Sequence, residues 1–163
     1  MKRYEYINSI ARGGAPLSEE LLDAIFNFTL LFSMAEHRLM RENARTGLAG
    51  IYAKRFVRGA NLEQEIRKVY NYFTNRYTVG ASHKYNLDDL CHHDKKSRVF
   101  IEQTIQKQNP NEHEVAECVF RIIIRLRHNL FHGRKWTYNI QGQEENLLSA
   151  CYLLHRILKN INR

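Results

Sequence analysis

The 163-residue chain has two prolines, three cysteines and no apolar run approaching 18 residues. A helix that spans a membrane needs about 20 apolar residues, so that class is excluded. Cys91, Cys118 and Cys151 are odd in number and widely spaced, which fits reduced thiols better than a disulfide framework. The opening MKRYEYINSIARGG has a basic start but no apolar core and no small-residue cleavage site. No secretory signal is expected, and a cytoplasmic location is. The eight glycines are scattered and form no phosphate-cradling loop, which argues against P-loop and dinucleotide-binding folds. No stretch alternates with period two for long enough to make a sheet, and no repeat, low-complexity tract or linker divides the chain. One domain over 1–163 is expected, and its 44% hydrophobic content is enough for a real core.

What is present is helical periodicity. Ser18 is a good N-cap for a helix whose apolar residues Leu21, Leu22, Ile25, Phe28, Leu31, Phe32, Ala35 and Leu39 share one face, running to about Ala44. A short helix is expected over 48–56. Asn61 caps another, with Leu62, Ile66, Val69, Tyr70 and Phe73 inward, followed by a connection over 75–84. A turn or two follows Asn86, a further helix starts at Ser97, and Asn109-Pro110 stops it. Asn111 caps a segment over 112–132, with Gly133 at the C-cap. The last helix covers about 144–161, with Leu147, Leu148, Cys151, Leu154, Leu158 and Ile161 inward. The fold class is all-α, an antiparallel bundle of four long helices with short additional helices.

The charge is uneven. Residues 1–120 hold 17 basic and 15 acidic side chains, whereas 121–163 hold eight basic and only two acidic ones. Most of the formal net charge of +8 therefore lies in the last quarter of the chain. Such a patch attracts phosphates, although a merely solvated basic face is the plainer reading.

The segment RLRHNLFHGRKW, Arg125 to Trp136, places two arginines and two histidines within its first eight residues, at the end of an oily helix. Arg127 offers an always-charged planar fork suited to phosphate, and His132 an imidazole that titrates near neutrality. Together they are the minimum apparatus for cleaving RNA without metal. Five residues at about 100° each separate them by roughly 140° on an ideal helix, so an unwound end or a wide cleft is needed. Both cations also suit a helix C-terminus electrostatically, which is the structural alternative. His128 and His132 resemble half a zinc site, but Asn129 stands where HExxH needs glutamate, excluding a metalloprotease. Cys91-His92-His93-Asp94 has ligand types without a second cluster, so no metal is expected. Tyr70, Tyr72, Phe73 and Tyr77 suit base stacking chemically, but at helical spacing they read as core.

Arg127-His128-Asn129-Leu130-Phe131-His132-Gly133 resembles the signature of the HEPN superfamily (higher eukaryotes and prokaryotes nucleotide-binding domain): arginine, four to six residues beginning with a polar one, then histidine. The resemblance implies a helical bundle and a metal-independent endoribonuclease that cleaves single-stranded RNA by 2′-hydroxyl transesterification, without cofactor. Catalysis falls to Arg127 and His132, with His128, Asn129 and Glu36 in support and Arg125, Arg134 and Lys135 holding RNA. Some relatives carry a glutamate near the Arg and His. Glu36, in FSMAEHRL, either orients Arg127 and tunes His132 or pairs on the Met40–Arg41 side of its helix. Asn129 either positions a phosphate oxygen or caps the helix end. The family also implies a homodimer, a toxin or antiviral-defence role, and an antitoxin or defence-system protein as partner. Its non-catalytic members imply an alternative, an RNA- or nucleotide-binding and dimerisation module. A plain helical interaction protein with a basic face is the third reading.

Overall fold

The computed structural model describes residues 5–10, 16–59, 62–78, 87–131 and 140–161. These residues form α1 (Glu5–Ile10), α2 (Glu19–Leu39), a single 3-10 turn (Thr46–Leu48), α3 (Ala49–Gly59), α4 (Glu63–Tyr77), α5 (Leu87–Cys91), α6 (Lys95–Gln106), α7 (Glu112–Phe131) and α8 (Glu144–Ile161). No strand occurs among the described residues, which are all-α.

Two of the helix starts follow directly from side-chain chemistry. The Leu21 amide donates to the Ser18 hydroxyl at 3.1 Å, capping α2. At α7 the Glu114 amide donates to Asn111 Oδ1 at 2.9 Å, and the Asn111 amide donates back to Glu114 Oε2 at 2.9 Å. Two amides that no turn of helix could satisfy are thereby paired reciprocally.

The elements pack around α7 and α8. α8 lies along α2 and also meets α4, while α4, α3, α6 and α5 all pack on α7. One contiguous apolar core runs through them, with Phe28, Phe32, Phe73, Phe120, Ile122 and Ile123 fully buried. Ile122, Ile123 and Ile124 are consecutive, so α7 is enclosed on most of its circumference.

Several boundaries differ from the sequence expectation. α2 stops at Leu39 rather than near Ala44, because Arg41 and Glu42 enter the left-handed region at φ 50° and 58°. The Glu36 carbonyl then accepts from both the Met40 and Glu42 amides, and Arg55 donates to the Leu39 carbonyl at 2.8 Å. Asp94, not Ser97, caps α6. On α8, Leu148 and Ile161 are exposed rather than inward. Asn61, Gly80, Asn86 and Gly133 lie outside the described residues.

α4 runs through Asn75 to Tyr77, into what reads as a connection. The extra turn is held because Tyr77 stacks at 6.3 Å on Phe73, one turn earlier, and its hydroxyl accepts from the buried Asn146 amide at 3.0 Å. Burial pushes the Tyr77 phenol up to about 12. Tyr77→Phe removes that acceptor and leaves a buried N–H of Asn146 with Gln143 alone at 2.9 Å. The expected cost is about 1–2 kcal/mol, read as a lower denaturant midpoint with an unchanged slope.

Candidate functional site

The polar residues of α7 fall into two groups that face different neighbours. His113, Glu117, Arg121, Arg125 and Asn129 recur every fourth position and so form a stripe along the helix. Arg121 donates to Glu117 at 2.7 and 2.9 Å and to the Ser97 hydroxyl at 3.1 Å, with its guanidinium 4.6 Å above the Phe100 ring. Arg125 donates to the Leu90 carbonyl at 3.1 Å and to Asn129 Oδ1 at 3.2 Å, and its other terminal nitrogen lies 3.5 Å from His128 Nδ1. Asn129 is buried and donates to the carbonyls of Leu90 at 2.9 Å and Asp89 at 3.3 Å. The last carbonyls of a short helix have no partner within it. Arg125 and Asn129 supply those partners, so they cap α5, a task that no spacing in the sequence signals.

Arg127 projects to the other side, toward α2. One of its terminal nitrogens lies 3.7 Å from Glu36 Oε2, and the two side chains retain 30% and 25% of their exposure. Its guanidinium sits 5.8 Å from the Phe32 ring and 5.2 Å from the Phe131 ring. Phe32 is buried, whereas Phe131, at the end of α7, is 55% exposed. Arg127 and Phe131 are four apart on α7, and Phe32 and Glu36 are four apart on α2, so each pair shares a face. The structure therefore brings Glu36 to Arg127, sets Arg125, His128 and Asn129 toward α5, and adds two phenylalanines that the sequence reading had not connected to the site. His132, Arg134 and Lys135 lie outside the described residues.

This end of α7 carries the negative pole of the helix dipole, which repels anions. An anion can be held there only by side chains. Arg127 is suited to that use, because at 3.7 Å its ion pair is too long for a hydrogen bond and no described residue accepts one from it. Arg98 and Arg156, by contrast, donate directly to carboxylates.

Metal chemistry finds no support in Cys91 to Asp94. The Asp94 carboxylate accepts from the Ser97 amide at 3.0 Å, the Ser97 hydroxyl at 2.8 Å and the Thr46 hydroxyl at 2.7 Å. Cys91 is buried, and its thiol is pushed up to about 12 by burial, which opposes the thiolate a metal requires. Among the described residues no group of three or more His, Cys, Asp or Glu side chains could hold an ion. Cys118 and Cys151 are likewise buried thiols, displaced upward by desolvation.

Asp94 instead ties the 3-10 turn to the start of α6. Burial alone would raise its pKa, but the Ser97 amide, the Thr46 and Ser97 hydroxyls and the Arg125 charge together hold it below the ordinary value. A carboxylate depressed in the folded state adds stability above the unfolded value of about 4 and loses it as pH falls through the folded one. Asp94→Ala should cost about 1–2 kcal/mol at neutral pH and flatten the loss of stability below about pH 4. Asp94→Asn should flatten that limb while keeping most of the cap. Urea unfolding across pH 2.5–7 measures both.

No family model matches the chain, and neither the curated proteins nor the solved structures searched contain a match to it.

Proposed function

We propose that the chain is a HEPN-type, metal-independent endoribonuclease that cleaves single-stranded RNA. The observation that carries this reading is Arg127: a guanidinium held between two phenyl rings and a carboxylate at a helix end, with its hydrogen-bonding capacity uncommitted among the described residues. The sequence adds His132 five positions later and a basic excess over 121–163. The four-helix HEPN arrangement belongs to this proposal, as do the homodimer and a toxin or antiviral-defence setting with an antitoxin or defence protein as partner.

In the proposed reaction His132 takes the proton of a 2′-hydroxyl, and the 2′-oxygen attacks the adjacent phosphorus. The 5′-oxygen leaves with a proton from a second acidic group, which a two-fold partner's His132 would provide. The products are a 2′,3′-cyclic phosphate and a 5′-hydroxyl. Arg127 neutralises the charge that builds on the phosphorane oxygens, and it is most useful if it is already in place. Glu36 and the two rings hold it there. Arg125, His128, Arg134 and Lys135 contribute positive charge around the phosphate path, with Asn129 setting the Arg125 orientation.

Cleavage of single-stranded RNA should persist in excess EDTA. Arg127→Ala and His132→Ala should each lower the rate by about 10²–10³-fold or more while dimerisation, followed by sedimentation, is retained. Glu36→Gln should have a smaller effect, because it loosens Arg127 without removing it. Loss of activity on chelation with recovery on adding magnesium or zinc would assign the electrostatic role to an ion and refute this mechanism. RNA binding without cleavage would assign the chain to the non-catalytic HEPN modules.

A further inference from the structure

The most exposed phenylalanine among the described residues is also one of the two that meet the candidate phosphate-binding arginine. Phe131 ends α7 immediately after Leu130, which is buried and anchors the helix end in the core. A single exposed apolar residue is ordinary on a protein surface. Phe131 differs in its neighbour: the Arg127 guanidinium lies over its ring at 5.2 Å, and Glu36 and Phe32 fix that guanidinium from the α2 side. The phenyl group is thus oriented by a cation that is itself positioned, while more than half of the residue remains open to solvent.

We infer that Phe131 is a stacking platform for an unpaired nucleobase of the strand whose phosphate meets Arg127. The inference rests on the proposed RNA reading and adds the contact that selects an unpaired base. Single-stranded nucleic acids are held by a backbone-directed cation working beside an aromatic face. Arg127 and Phe131 supply these two elements four residues apart on one helix. A nucleotide whose phosphate meets the guanidinium brings its own or its neighbour's base within reach of the ring. A base inside a duplex has both faces covered by its neighbours, so the platform discriminates for single strands without reading sequence. Phe32, at the same guanidinium but buried, cannot act this way. It supports Arg127 from behind.

The test separates stacking from charge. Binding of a ten-nucleotide oligouridylate and of a fully abasic ribose-phosphate oligomer of the same length is measured by fluorescence anisotropy in EDTA, in a His132→Ala background that prevents cleavage. Phe131→Ala should weaken oligouridylate binding by about 10-fold or more, leave the abasic oligomer unchanged, and leave the melting temperature nearly unchanged. Phe131→Trp should restore or exceed the original affinity for the oligouridylate. Equal weakening of both oligomers would mean that Phe131 acts through fold, dimerisation or the placement of Arg127, and it would overturn the platform. So would an unchanged affinity for the oligouridylate, or no measurable binding of it at all. The nuclease reading is decided apart from this: a chain that stacks bases but cleaves nothing keeps the platform and loses the nuclease. A chain that cleaves RNA with Phe131→Ala neutral in binding does the reverse.

Discussion

A guanidinium cannot enter a protein interior unaccompanied, and α7 carries three of them on a helix that is otherwise enclosed. The cost of stripping water from an arginine is recovered only where carboxylates, carbonyls or aromatic faces replace it. Arg121 is answered by Glu117, Ser97 and the Phe100 ring; Arg125 by Leu90 and Asn129; Arg127 by Glu36, Phe32 and Phe131. Arg121 and Arg125 thereby tie α6 and α5 to the central helix, and Arg127 reaches across to α2. The apolar core gives the stability, while the polar pairs set which neighbour lies on which side.

The pairings also differ in completeness. Arg121 has short, direct hydrogen bonds and little exposure, and Arg125 is spent on the carbonyls of α5. Arg127 is the one of the three with no direct hydrogen bond to a described residue. Even on one helix, then, arginines of the same intrinsic chemistry separate into structural and available ones, and the difference lies in partners contributed by other segments.

Much of the fold was legible because helices announce themselves locally. Ser18, Asn111 and the apolar period of 144–161 placed three helices closely. The errors have local causes too. Arg41 and Glu42 reverse the chain without the glycine that ordinarily marks such a turn, and Met40 and Ala44 are buried, so the apolar pattern continues past the real helix end. Asp94 and Ser97 are both cap-forming residues three positions apart, and the aspartate, which accepts from the Ser97 amide, is further held by Thr46 and Arg125 from distant segments. The site was less legible. Arg127 and Glu36 are 91 positions apart, so no spacing rule joins them, and the resemblance to a family motif first put them together. Phe131 went unremarked because its spacing from Arg127 means something only once the guanidinium is known to turn back along the helix face.

If the chain is the ribonuclease proposed above, the carboxylate behind Arg127 has a consequence for turnover. A bare guanidinium grips a phosphodiester and its cyclic product with nearly equal force, and a site that holds product tightly is slow to empty. Glu36 is a resident counter-ion at 3.7 Å, so any bound phosphate shares the arginine with it. The carboxylate subtracts from the affinity for substrate and product alike. The phosphorane, with one more negative charge than either, still draws the guanidinium most strongly. A weaker hold at rest is, on this account, a condition for repeated release.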